Sequence, residues 1–218
     1  MSGAGSGDGS DGSDGGDARR RPQQQRSRAK VDALLDAADA LLAEAGASAV
    51  TTTAVTERAG VAVGTLYQYF ADVDALLMAV GQRHASRIGA RLAAELRART
   101  LTRKRDAANL ALDTLIGYAR ETPAFQALWQ SPLGRRAGSQ GVSTAAEPLV
   151  LLVTNALVTQ GLGASNDPDF ELEIQIQWAV AEGLIRLAFR RDPQGDPVVL
   201  HHLRRLWDLD VDVDPSSS

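Results

Sequence analysis

Cysteine is missing from all 218 residues of the chain. That absence excludes disulfides, thiolate metal centres and cysteine nucleophiles. Histidine is nearly as scarce, with His84, His201 and His202 its whole supply. His201 and His202 are neighbours on one predicted helix and face different directions, so a metal pair would need further ligands in compatible geometry. No histidine has a recognisable carboxylate partner, and no phosphate-binding glycine loop is present; the expectation is no enzyme, no cofactor and no metal. Aromatic residues make up 5% of the chain. Ala and Leu dominate instead, a composition that favours helices over strands. No apolar run approaches the roughly 20 residues that span a membrane. The opening residues are Gly, Ser and Asp, without the apolar stretch of a secretory signal. A cytoplasmic protein with no membrane contact is the expectation.

What is present begins with an acidic, low-complexity stretch that cannot bury enough apolar surface to offset its ordering entropy. Residues 1–27 are therefore predicted to be a disordered tail, and residues 210–218, rich in Asp and Ser, a second one. Within residues 19–30 the charge reverses, through Arg19, Arg20, Arg21, Arg26, Arg28 and Lys30. Such a run is either a solubilising tail or a basic arm that lies along nucleic acid. Helix-spaced apolar residues from Val31 to Ala45 predict a first helix from about Arg28, with Asp32, Asp36 and Asp39 on its opposite, solvated face. Gly46 fits the position just past its end.

A threonine cluster, Thr51 to Thr53, then offers a cap for a second helix running to about Ala59. Gly60 breaks it, and a third helix occupies roughly Val63 to Phe70. Two short helices joined by a glycine-containing turn form a helix-turn-helix candidate. At about 100° per residue, Leu66 and Phe70 share the inner side of the third helix, with Val63 and Tyr67 at its margins. Gly64, Thr65, Gln68 and Tyr69 fall on the outer side. Gln can bond an adenine edge, a Thr methyl can pack on thymine, and Tyr hydroxyls can reach phosphates. That chemistry suits a helix lying in a major groove; the competing reading makes both tyrosines ordinary packing residues. The net charge of −4 opposes DNA binding in the aggregate, but the basic residues gather near the helix-turn-helix segment, and local field steers a phosphate backbone.

From about Arg28 to Leu77 these residues resemble the TetR/AcrR-type bacterial transcriptional regulators. "ALLDAADALLAEAG", "VTTTAVTERAGV", "GTLYQYF" and the following "DALL" carry the likeness. The resemblance implies an all-α protein: a three-helix helix-turn-helix domain over 28–75, then a helical ligand-binding and dimerisation domain over 76–209. It assigns Thr52 and Thr53 to phosphates or a base edge. Val63, Gly64, Thr65 and Gln68 would face bases, and Tyr67 and Tyr69 would hold the DNA backbone. Two positions depart from the family pattern. Thr56 replaces a small Ala, which predicts a slightly looser turn, and Val73 stands where a phosphate-contacting Lys is common.

Beyond residue 76 the pattern predicts further helices, with a loop across "SPLGRRAGSQGVST" and two long apolar helices at the end. The resemblance makes those last two the dimer interface and places an inducer pocket inside the domain, where Tyr118, Phe125, Trp129 and Trp178 are the large side chains available. The expected function is a sequence-specific, ligand-responsive repressor that binds a palindromic double-stranded DNA operator as a homodimer, its small-molecule inducer not encoded readably. The alternative is a dimeric helical module that binds small molecules or proteins and has lost DNA binding.

Overall fold

The computed structural model describes residues 15–139, 146–163 and 168–210, and within these every regular element is helical. The three helices of the N-terminal part are α1 (Gly15–Ala45), α2 (Thr52–Ala59) and α3 (Val63–Tyr69). A long helix, α4 (Val73–Ala98), leads into α5 (Lys104–Glu121), α6 (Pro123–Gln130) and α7 (Pro132–Ser139). The chain closes with α8 (Ala146–Thr159), α9 (Pro168–Arg191) and α10 (Pro197–Asp210). No helix among the described residues is long and apolar enough to cross a membrane. Residues 1–14 of the predicted N-terminal tail and 211–218 of the C-terminal one lie outside the described residues.

Local chemistry accounts for most boundaries. Gly46 ends α1 with φ 79° and ψ −179°, a conformation for which a side chain is unsuited. Thr51 caps α2 by accepting from the Ala54 amide at 3.2 Å. Asp72 caps α4 by accepting from the Ala75 amide at 2.7 Å. Two boundaries differ from those the sequence predicts. Helix α1 begins at Gly15, well ahead of Arg28, so the basic run lies on the helix itself. The segment expected as a loop after Gln130 opens instead with α7. Pro132 takes the first helical position, where its missing amide costs nothing. Ser131 caps the helix, its Oγ accepting from the Gly134 amide at 3.0 Å. Residues 140–145 of that segment lie outside the described residues.

The helices enclose two apolar cores. The N-terminal one gathers Leu34, Ala38 and Leu42 of α1, Val55 of α2, Leu66 of α3, and Leu76, Leu77 and Val80 of α4. The second holds Ile88, Leu92 and Leu96 of α4 with α5, α8, α9 and α10. Helix α6 serves both: Ala124 and Leu128 enter the first core, Phe125 and Trp129 the second.

The acidic face of α1 is not the solvated one expected. Asp32 is exposed, but α4 crosses the other two acids. Arg83 donates to Asp36 at 2.6 Å, and fully buried His84 meets Asp39 through Nε2 at 2.8 Å. His84 thus has the carboxylate partner that sequence reading could not find, 45 residues away. Burial opposes ionisation of Asp39, but the His84 hydrogen bond and the charges of His84, Arg83 and Arg87 outweigh it and hold its carboxyl below the usual range. The stability this carboxylate contributes is therefore present above about pH 4 and lost as pH falls through the depressed folded value. Asp39→Asn should destabilise the protein at neutral pH, and the gap to the parent should narrow on acidification, as read by denaturant unfolding at several pH values. A gap that stays constant down to about pH 2 would contradict this account.

Candidate nucleic-acid interface

Helix α2 ends in a turn that leaves no play between it and α3. Gly60 adopts the left-handed conformation, φ 65° and ψ 34°. Its amide donates to Glu57 O at 3.2 Å, and the Val61 amide donates to Thr56 O at 3.0 Å. This paired closure is the Schellman arrangement. Thr56 does not loosen the turn, contrary to expectation. It is buried, and its hydroxyl finds partners within its own helix, donating to Thr52 O at 2.9 Å. Val73 packs half-buried against the N-terminal core and offers no charge.

Helix α3 is held from below by one fully buried residue, Leu66, with Phe70 half-buried beside it. Above it Val63, Gly64, Tyr67 and Gln68 are exposed, and Thr65 is half-buried. Tyr67 is 55% exposed, so it stands out from the surface and not at the margin that the helical wheel gave it. Its hydroxyl lies 3.4 Å from Thr52 Oγ1, which joins the start of α2 to the outer face of α3. Thr53 beside it is exposed. Space around Gly64 is open: a Cβ added there would meet nothing within 4 Å.

Tyr69 behaves differently from the outward placement expected. It is half-buried, packs against the N-terminal core, and accepts a hydrogen bond from Ser27 at 3.0 Å. The cause is the extra length of α1, whose added turns pass over the end of α3. Arg26, Arg28 and Lys30 are exposed on those turns.

The four aromatic residues assigned to an inducer pocket separate into two places. Tyr118, Phe125 and Trp129 form one buried group with His84, with Tyr118 edge-on to Phe125 at 5.4 Å and Phe125 stacked on Trp129 at 5.4 Å. Arg186 lies over the Trp129 ring, 4.6 Å from its centre, and pairs with Glu182 at 2.8 Å. Trp178 lies elsewhere, beside Ala111, Leu112, Val153 and Ile174, at a cavity of about 20 Å³ between α5, α8 and α9. Its indole nitrogen is buried without a hydrogen-bond partner among the described residues. Sequence reading missed the polar link from Asp39 to His84 and on to Tyr118, since its members sit on three helices far apart in the chain.

Two short helices, a glycine-closed turn and a polar outer face on the second helix define a helix-turn-helix domain mounted on a helical body. Residues 34–80 match the model for bacterial regulatory proteins of the tetR family. The crystal structure of a TetR-family transcriptional regulator from Streptomyces coelicolor is similar at 29% identity and TM-score 0.66, over 83% of this chain and 96% of that one. A TetR transcriptional regulator from Rhodococcus sp. RHA1 is similar at 22% identity and TM-score 0.64, over 87% of this chain and 100% of the other. The regulator FadR from Bacillus subtilis, crystallised with stearoyl-CoA, shares the fold at 15% identity and TM-score 0.58, over 83% and 97% of the two chains. No curated protein matches the chain. The chain has the fold and the helix-turn-helix domain of the TetR family of transcriptional regulators.

Proposed function

We propose that the chain is a homodimeric, ligand-responsive repressor that reads a palindromic DNA operator with α3. The observation that carries this reading is the continuous uncovered surface formed by Thr52, Thr53, Val63, Gly64, Tyr67 and Gln68 above the single anchor Leu66. Val63, Gly64, Thr65 and Gln68 face the bases in this reading, and Tyr67 and the two threonines hold phosphates. Tyr69 contributes at the edge, its hydroxyl already tied to α1. The exposed Arg26, Arg28 and Lys30 extend the contact along the backbone, each phosphate contact adding about 0.9 to the salt dependence of binding.

Dimerisation follows from α9 and α10. Leu172, Ile176 and Val180 are exposed at four-residue spacing along α9, and Val198 and Leu206 are exposed on α10. A large apolar stripe left open to water is the mark of an interface. Gly183 continues the stripe with open space around it, which lets a second helix approach closely. The ligand site is assigned to the cavity at Trp178, whose lining is apolar apart from Gln177 and the unpartnered indole nitrogen. An apolar molecule carrying one hydrogen-bond acceptor suits that lining, and its entry must part α8 from α5 and α9. Its effect on DNA binding is limited to its difference in affinity between the two states.

The test is binding to DNA taken from upstream of the protein's own gene, measured by anisotropy against random DNA. Gln68→Ala should cost about 1–3 kcal/mol on the cognate sequence and relax specificity there. Gly64→Ala should leave the fold intact, or stabilise it by about 0.5–1 kcal/mol, while weakening DNA binding through the added methyl. Equal losses on random and cognate DNA would remove Gln68 as a base reader. A dimer that binds neither DNA would favour the module without DNA binding, for which the uncharged Val73 is the one supporting departure.

A further inference from the structure

The buried contact between Asp39 and His84 lies away from the reading face, yet it joins the helix-turn-helix domain to the body, and its donors outnumber its bonds. Asp39 on α1 is shared by two consecutive residues of α4. His84 Nε2 holds Oδ1 at 2.8 Å, while Arg83 Nη2 stands 3.9 Å from Oδ2, beyond hydrogen-bond reach. Arg83 Nε and Nη2 are both buried and have no hydrogen-bond partner among the described residues. Buried donors left unmade are costly, and native structures hold few of them. A closing of about 1 Å would bring Nη2 onto the carboxylate.

We propose that Asp39 is a two-position latch, seated on His84 in this structure and on Arg83 in a second state, with Tyr118 selecting between them. The proposal rests on the regulatory reading above and specifies how the body acts on the helix-turn-helix domain. Tyr118 lies 2.7 Å from His84 Nδ1. With the tyrosine hydroxyl donating to Nδ1, the neutral ring keeps its own proton on Nε2, facing Asp39. Tyr118 belongs to the aromatic group with Phe125 and Trp129. Displacing that group removes the hydroxyl that fixes the tautomer. With the proton on Nδ1 instead, Nε2 would turn a lone pair toward the carboxylate, and Asp39 moves to Arg83. Residues 83 and 84 project about 100° apart on the helix, so the exchange turns α4 against α1, which carries α2 and α3 with it. Two discrete seats for one carboxylate supply the bistability that a switch needs.

A chain without cysteine lends itself to the test. Spin labels at Glu57→Cys on α2 and Arg190→Cys on α9, both exposed positions, report the distance between domain and body by pulsed electron resonance. Labelled chain is diluted into unlabelled chain, so that pairs within one subunit are read. The parent should show one distance. Tyr118→Phe keeps the ring and removes only the hydroxyl; it should add a second distance, shifting the population ratio roughly three- to tenfold, the effect of one withdrawn buried hydrogen bond. Adding Arg83→Met deletes the second seat and should restore the single distance, a rescue that simple damage to the interface would not produce. Arg83→Met alone should keep the parent distance. An unchanged distance in Tyr118→Phe, or a second distance that survives Arg83→Met, would overturn the latch. Affinity for the upstream DNA should follow the same order, lost and then recovered. If the parent binds no such DNA, the regulatory reading falls, and the distances still decide the latch.

Discussion

Leu66→Ala should destabilise the helix-turn-helix domain by about 3 kcal/mol and abolish DNA binding while leaving the body folded. The side chain is fully buried and is the one buried residue of α3. Removing it forfeits the transfer free energy of its methyl groups and opens a cavity, and such substitutions cost about 2–5 kcal/mol. Helix α3 spans seven residues, far below the length at which a helix holds itself together in water. Its order therefore depends on docking, and Leu66 is the dock. Amide hydrogen exchange should show protection lost across α2 and α3 and retained in α5 and α9. A loss of stability below about 1 kcal/mol would mean that Phe70 and the turn alone position the helix.

Val180→Asp should leave the subunit folded and break the dimer. The residue is 47% exposed within the subunit, so a polar replacement there disturbs subunit stability by no more than about 0.5 kcal/mol. In a two-fold dimer built on α9 and α10 the same position recurs on both partners, so one substitution buries two carboxylates near each other. An uncompensated buried charge costs about 3–5 kcal/mol, which raises the dimer dissociation constant at least about 100-fold. Operator affinity falls with it, because the two reading helices must be held about 34 Å apart to meet successive major grooves. Sedimentation velocity measures the first effect and anisotropy the second. An unchanged sedimentation coefficient at micromolar concentration would exclude this face as the interface.

The parts of the fold that could be read in the sequence are those set by neighbours in the chain. Gly46, Thr51, Gly60 and Asp72 end or cap helices with groups a few residues away, and the turn before α3 follows from them. Leu66 on the inner side and Gln68 on the outer side follow from helical spacing alone. The rest depends on contacts across the chain. Helix α7 looks like a loop by its Gly, Arg and Ser content; Ser131 caps it, and Arg186 of α9 reaches its Gly134 carbonyl at 3.3 Å. Tyr69 could be placed correctly only by knowing that Ser27 lies on a helix that passes over it. Asp36 and Asp39 read as solvated because nothing local shows that α4 crosses them. Of the four aromatic residues assigned to a pocket, the sequence offers size but not company, and only Trp178 lines a cavity.

The double allegiance of α6 bears on how such a protein can be taken apart. Ala124 and Leu128 wall the N-terminal core from a position some fifty residues past the nominal end of that domain. A chimera cut after residue 75 and grafted to another body would inherit a core missing part of its wall, unless the recipient supplied an equivalent helix. Recombination between relatives should therefore succeed where α6 travels with the first three helices and fail where the junction separates them.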